Sequence, residues 1–186
     1  MKYFLLLSAF CITQFLVIAQ NGVPAPETII YLVRHAEKEK GDDPLLTEAG
    51  KQRAGDLMRT LKDKQLQRIY VTQYRRTQMT ADSLRIQMGI DTVHYLADST
   101  GNSLLEKIKV NNDFGKSILV IGHTNTLPFI IEKLGVAKQT IPVIEDNEFD
   151  YLFVVKLTKQ GATLTISKYG VKPLIKAAGT TVQPLQ

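Results

Sequence analysis

The chain alternates short runs with almost no polar positions and longer segments whose apolar residues return every three or four places. Thr28-Ile29-Ile30-Tyr31-Leu32-Val33 and Ser117-Ile118-Leu119-Val120-Ile121 are apolar without alternation, the pattern of strands covered on both faces of a mostly parallel sheet. Ile69-Tyr70-Val71 and Thr92-Val93-His94-Tyr95 read as two shorter strands. Between these runs, Thr47 is placed to cap a helix carrying Ala54, Leu57, Met58 and Leu61, and a second helical stripe (Thr80, Leu84, Met88) runs over Arg76–Met88 to a stop at Gly89. Further helices are predicted over Asn102–Val110 and from about Thr126 to Leu134, the latter with Pro128 in its first turn. The last third changes character. Tyr151–Val155 and Ala162–Ser167 flank Lys159-Gln160-Gly161 and predict an antiparallel hairpin. Strand–helix alternation followed by a hairpin gives an α/β fold, a three-layer sandwich with a mostly parallel mixed sheet.

The N-terminus departs from this pattern. Lys2 precedes a greasy stretch from Tyr3 to Ile18, and Val17 and Ala19 occupy the small-residue positions of a cleavage site. That is the layout of a secretory signal peptide over residues 1–19, and an uncleaved anchor is the alternative. Residues 20–27, with Pro24 and Pro26, form a lead-in to one domain over residues 28–186. The expectation is a periplasmic or secreted protein, free of the membrane once the segment is removed. The single cysteine of the 186 residues, Cys11, lies inside that segment, so the mature chain carries no thiol, as suits an oxidising compartment. The net charge of +5 falls to +4 when Lys2 is lost. This mild excess of cations favours anionic ligands in general, and the scattered lysines without an aromatic platform argue against nucleic acid.

Candidate chemistry gathers at strand ends. The first strand runs into Arg34-His35, the fourth into Gly122-His123, and the second is followed closely by Arg75-Arg76. In an open α/β sheet, ligands occupy the crevice beyond the carboxyl ends of parallel strands. Arginine forks match phosphate oxygens, and the helix after His123 is expected to aim free N–H groups at the same crevice. A small phosphorylated substrate is therefore the expected ligand. His94, within a strand pattern, reads as structural.

These residues carry a resemblance. Val33-Arg34-His35-Ala36-Glu37 after the first strand, Leu46-Thr47-Glu48-Ala49-Gly50 opening a helix, Arg76-Thr77-Gln78-Met79-Thr80-Ala81, and Val120-Ile121-Gly122-His123 together resemble the histidine phosphatase (phosphoglycerate-mutase-like) superfamily, from about Thr28 to Ser167. The resemblance implies a covalent phosphohistidine at His35, with Arg34, Arg76 and His123 gripping the phosphoryl oxygens and neither metal nor other cofactor. It favours Arg76 over Arg75. A pocket rich in arginine is expected to keep the His35 imidazole unprotonated. The general acid that the family places beyond its second arginine is less clear: Asp98 is preferred, with Glu106 and Glu37 as alternatives. The short stretch before His123 leaves no room for a large lid and favours a phosphatase of phosphomonoesters or phosphoramidates over a mutase. The rival readings are a phospho-ligand binder of the same fold without turnover, and a hydrolase with a metal on His35, His123 and Asp98. Oligomeric state is not legible.

Overall fold

The computed structural model describes residues 27–170; the expected signal segment lies outside the described residues. The elements follow in the order β1 (Thr28–Arg34), α1 (Glu48–Leu61), β2 (Arg68–Thr72), α2 (Arg75–Met88), β3 (Thr92–Tyr95), α3 (Asn102–Val110), β4 (Ser117–Gly122), α4 (Leu127–Lys133), β5 (Tyr151–Thr158) and β6 (Gly161–Lys168). They build one sheet in the order β3-β2-β4-β1-β5-β6. The first four strands are mutually parallel, and β5 and β6 run antiparallel to them at one side. The sheet is thus mixed and mostly parallel.

The unbroken apolar runs of β1 and β4 follow from this placement, because both strands have helices above and below them. Alternate residues divide between two cores. Ile30, Leu32, Ile118, Val120 and Phe153 pack with Leu104, Ile108, Leu127, Ile130 and Ile131 of α3 and α4. Tyr31, Val33, Leu119, Ile121 and Leu152 pack with Leu57, Leu61, Ala81 and Leu84 of α1 and α2. Helices on both faces of one sheet make the three-layer sandwich. Edge strand β6 is mostly exposed, in keeping with its alternating, hydroxyl-rich sequence. Among the described residues, no helix is long and apolar enough to cross a membrane.

One local contact locks the loop after β1 to α1. The Thr47 side chain accepts the Gly50 N–H at 3.1 Å and so caps the helix. The Thr47 N–H donates to the Glu37 carbonyl at 3.0 Å. A Cβ at Gly50 would stand 2.1 Å from that same carbonyl oxygen, so the glycine is required by space. Nearby, Glu37 is clasped by Arg53 through Nε and Nη2 at 2.6–2.9 Å. We expect Gly50→Ala to cost about 1–3 kcal/mol, the range for forcing extra volume into a packed contact. Urea unfolding checks this as a lower midpoint with an unchanged slope.

Candidate active site

Register brings the strand ends together. Arg34 on β1 pairs with Gly122 on β4, and the His35 N–H continues the ladder by donating to the Gly122 carbonyl at 3.0 Å. The residues just past each strand are therefore neighbours: the His35 and His123 rings lie 5.3 Å apart, edge to face. Gly122 itself lies close under Leu127 and Tyr95: a Cβ there would meet Leu127 Cδ2 at 3.0 Å and the Tyr95 hydroxyl at 3.2 Å. On the other side of β4, β2 leads into α2, whose first turn supplies Arg76. The Thr80 hydroxyl, one turn later, accepts the Ala36 N–H at 2.9 Å and donates to the Arg76 carbonyl at 2.7 Å. That contact gives the threonine of the Arg-x-x-x-Thr-Ala segment its purpose: it fixes Arg76 against the loop that carries His35.

Arg34, His35, Arg76 and His123 line one pocket of about 400 Å³, together with Tyr74, Ala97, Thr124, Asn125 and Asp146. Each imidazole has a defined orientation. His35 Nδ1 lies 2.8 Å from the Ala36 carbonyl, and a carbonyl only accepts, so Nδ1 carries the proton and Nε2 keeps its lone pair. His123 Nε2 lies 3.0 Å from Thr72 Oγ1, while its Nδ1 lies 3.5 Å from Arg76 Nη2, which can only donate. His123 therefore donates through Nε2 into a hydroxyl chain from Thr72 to Thr77 and on to the Tyr74 carbonyl.

The cations are as firmly held. Arg34 Nη1 is shared among the carbonyls of Glu145, Asp146 and Glu148 at 3.0, 2.9 and 3.1 Å, and its Cζ lies 4.0 Å from the Phe149 ring centre. Arg76 stacks on Tyr74 at 4.1 Å and faces Asp43 at 3.6 Å, beyond hydrogen-bond length. Arg34 Nε, Arg76 Nε and Nη1, and the Thr124 hydroxyl are buried with no hydrogen-bond partner among the described residues. Buried donors of this kind are costly unless a ligand accepts from them. A tetrahedral oxyanion offers several acceptors at once.

Burial lowers the His35 pKa to about 3, with the charges of His123, Arg34 and Arg76 adding to the effect against the Ala36 hydrogen bond. Burial likewise brings His123 to about 4, helped by Arg76 and Arg34. Both imidazoles are neutral at pH 7. The expectation that the arginines would do this is corrected in its emphasis: removal from water contributes more than the neighbouring charges.

The carboxylates are placed differently from the expectation. Asp98 accepts from the Thr100 N–H and hydroxyl at 2.7 and 2.6 Å and from the Ser103 N–H at 2.9 Å. Its slight burial would raise its pKa, but these hydrogen bonds outweigh that and hold it at about 2. Asp98 thus closes the turn into α3 as an ionised acceptor, and the residue of its loop that reaches the pocket is Ala97. Glu37 is committed to Arg53, and Glu106 is exposed on α3. The carboxylate that does line the pocket is Asp146. The expected free N–H groups after His123 are also partly taken, since Thr126 and Leu127 both donate to the His123 carbonyl at 3.0 Å. Among the described residues, no group of three or more His, Cys, Asp or Glu could hold a metal ion. Asp98 in particular does not join the two histidines.

The pocket lies at the carboxyl ends of the parallel strands of the mixed sheet, and its buried donors and neutral imidazoles suit an oxyanion. The family model of the histidine phosphatase superfamily (branch 1) matches residues 30–98, a span that holds Arg34, His35 and Arg76. Solved structures share the architecture. The alpha-ribazole phosphatase from Shigella flexneri is 14% identical with a TM-score of 0.60, over 77% of this chain and 99% of that one. The protein histidine phosphatase SixA complexed with tungstate is 15% identical with a TM-score of 0.58, over 75% and 96%. The mycobacterial glucosyl-3-phosphoglycerate phosphatase is 11% identical with a TM-score of 0.59, over 78% and 100%. No curated protein gives a significant match by sequence. The chain has the phosphoglycerate-mutase-like fold of these structures, and its segment 30–98 is similar to the histidine phosphatase superfamily (branch 1).

The two buried imidazoles leave a mark on stability. Unfolded histidines titrate near 6.5, and the folded ones at about 3 and about 4. Between these values the unfolded chain binds more protons, so stability present above pH 6.5 is lost as pH falls, until each folded pKa is reached. We expect a slope of up to about 1.4 kcal/mol per pH unit for each histidine. His35→Gln and His123→Gln should each remove one share, as read by urea unfolding at a series of pH values.

Proposed function

We propose that this chain is an exported phosphatase that hydrolyses phosphomonoesters or phosphoramidates through a phosphohistidine at His35. The observation that carries the reading is the His35 ring. Its Nδ1–H is tied to the Ala36 carbonyl, so Nε2 offers a lone pair into a pocket of unpartnered guanidinium donors. The leader over residues 1–19 and the thiol-free remainder support export.

The chemistry follows in two displacements. His35 Nε2 attacks phosphorus in line, a P–N bond forms, and the bond to the leaving oxygen or nitrogen breaks with its electron pair. Arg34, Arg76 and the Thr124 hydroxyl neutralise charge spread over the equatorial oxygens. A bound phosphate also raises the pKa of His123, so that its Nδ1 takes a proton and donates to an oxygen. Water then attacks phosphorus and gives its proton to Asp146, ionised in the first step; the P–N bond breaks with its electron pair returning to His35 Nε2, and phosphate is released. Asp146 takes the part expected of Asp98 and protonates the leaving oxygen at the pocket mouth.

A brief exposure to a labelled phosphate donor should leave acid-labile, base-stable label on the wild type and none on His35→Ala. Failure to label with several donors across pH would favour a phospho-ligand binder, the reading suggested by the commitment of Asp98 and Glu37 elsewhere. Asp146→Asn should slow alkyl phosphates by roughly a hundredfold, the lower end of general-acid effects. It should spare p-nitrophenyl phosphate, whose leaving group departs without a proton, and steady-state rates on the two substrates check the contrast.

A further inference from the structure

The phosphate pocket does not end at Thr124 and Asn125. Both residues also line a second depression, of about 420 Å³, between α4 and the segment that leads to Asp146. Its walls are apolar: Pro128 and Phe129 on the helix side, and Ile141, Pro142 and Val143 on the other. Phe129 is 41% exposed and Val143 79% exposed, so large apolar side chains face solvent beside a highly polar pocket. Exposed apolar surface in a concavity is the usual mark of a ligand site.

Two features tie this groove to the phosphate pocket. The shared residues Thr124 and Asn125 directly follow His123 and border both spaces, which makes the two depressions immediate neighbours. The Ile141–Val143 wall also runs straight into the carbonyls of Glu145, Asp146 and Glu148, which Arg34 holds. Glu132 and Lys138 also line it, so a mostly apolar groove carries a few charged groups on its walls.

We infer that this groove binds the leaving group of the substrate, and that the enzyme prefers phosphate esters whose alcohol carries an apolar ring or branched chain a few bonds from the phosphorus. This deepens the phosphatase reading and rests on it. The phosphoryl group occupies the Arg34–Arg76 pocket, the ester oxygen passes Asp146, and the apolar body lies between Phe129 and Val143.

The test compares esters of similar alcohol basicity, so that bulk alone differs. 2-Phenylethyl phosphate should exceed ethyl phosphate in kcat/KM by roughly tenfold or more, as apolar pocket contacts allow. Val143→Asp should bring the two within about twofold of each other and leave ethyl phosphate unchanged; Phe129→Ala should narrow the gap as well. Binding of 2-phenylethylphosphonate against ethylphosphonate, by calorimetry, should show the same preference without turnover. Equal kcat/KM for the two esters on an active enzyme overturns the groove assignment alone. Absence of turnover on every ester, p-nitrophenyl phosphate included, overturns the phosphatase reading. The phosphonate pair then still decides whether the groove takes an apolar group. A change of oligomeric state in Val143→Asp with the ester preference intact assigns the groove to a second copy of the chain and overturns the proposal.

Discussion

The parallel pairing of β1 with β4 is the constraint from which the site follows. The two strands end level, with Arg34 opposite Gly122, and the ladder extends one bond further through the His35 N–H and the Gly122 carbonyl. A slip of one residue would turn His35 or His123 to the opposite face of the sheet. The register is held by burial, because Ile30 and Leu32 must enter one core and Tyr31 and Val33 the other. Chemistry at the crevice therefore depends on apolar packing well away from it. Glycine at 122 completes the arrangement, since a larger residue would collide with Leu127 and Tyr95.

The same arrangement is unfavourable for the empty protein. Two imidazoles are kept unprotonated by burial, and guanidinium nitrogens of Arg34 and Arg76 are buried with no hydrogen-bond acceptor among the described residues, Asp43 standing 3.6 Å from Arg76 Nη1. Each feature costs stability and each is relieved by an oxyanion, which accepts the donors and supplies negative charge. Natural domains carry such local conflicts at functional sites and offset them elsewhere. Here the offset is visible in the surrounding locks: the capped first turn of α1 with Gly50 against the Glu37 carbonyl, the Arg53–Glu37 clasp, and Thr80 between Ala36 and Arg76.

Most of the architecture and the cationic half of the pocket were legible in the sequence. Uniform apolar runs mark doubly covered strands, and strand ends in an α/β sheet mark the crevice, so Arg34, His35, the Arg75-Arg76 pair and His123 could be gathered from order, while the choice of Arg76 came from the resemblance. The carboxylates could not. Asp98 sits in the loop Leu96-Ala97-Asp98-Ser99-Thr100-Gly101, where an aspartate serves equally well as a proton donor or as an acceptor for the next backbone amides. Only the fold shows that Thr100 and Ser103 take it. The hydroxyl-rich sequence after it was the available signal, since aspartate and serine favour such local turns. Asp146 lies in the long irregular connection before β5, which carries no periodicity to aim it. The second duty of Arg34 was hidden for the same reason, because its partners are backbone carbonyls and leave no trace in residue identity.

That second duty ties the pocket to the segment that closes one side of it. Arg34 reaches toward the oxyanion site with Nε while Nη1 holds the backbone of Glu145, Asp146 and Glu148, and Phe149 packs against its guanidinium face. One rigid planar group thus joins the pocket to the backbone of Glu145, Asp146 and Glu148 and to the chain that continues back to Val143. A lysine could supply the charge but not this fork, since its ammonium is a single point on a flexible stem. Arg34 is accordingly best understood as the joint between two parts of the site: the cationic pocket around the two imidazoles, and the irregular segment that closes one side of it.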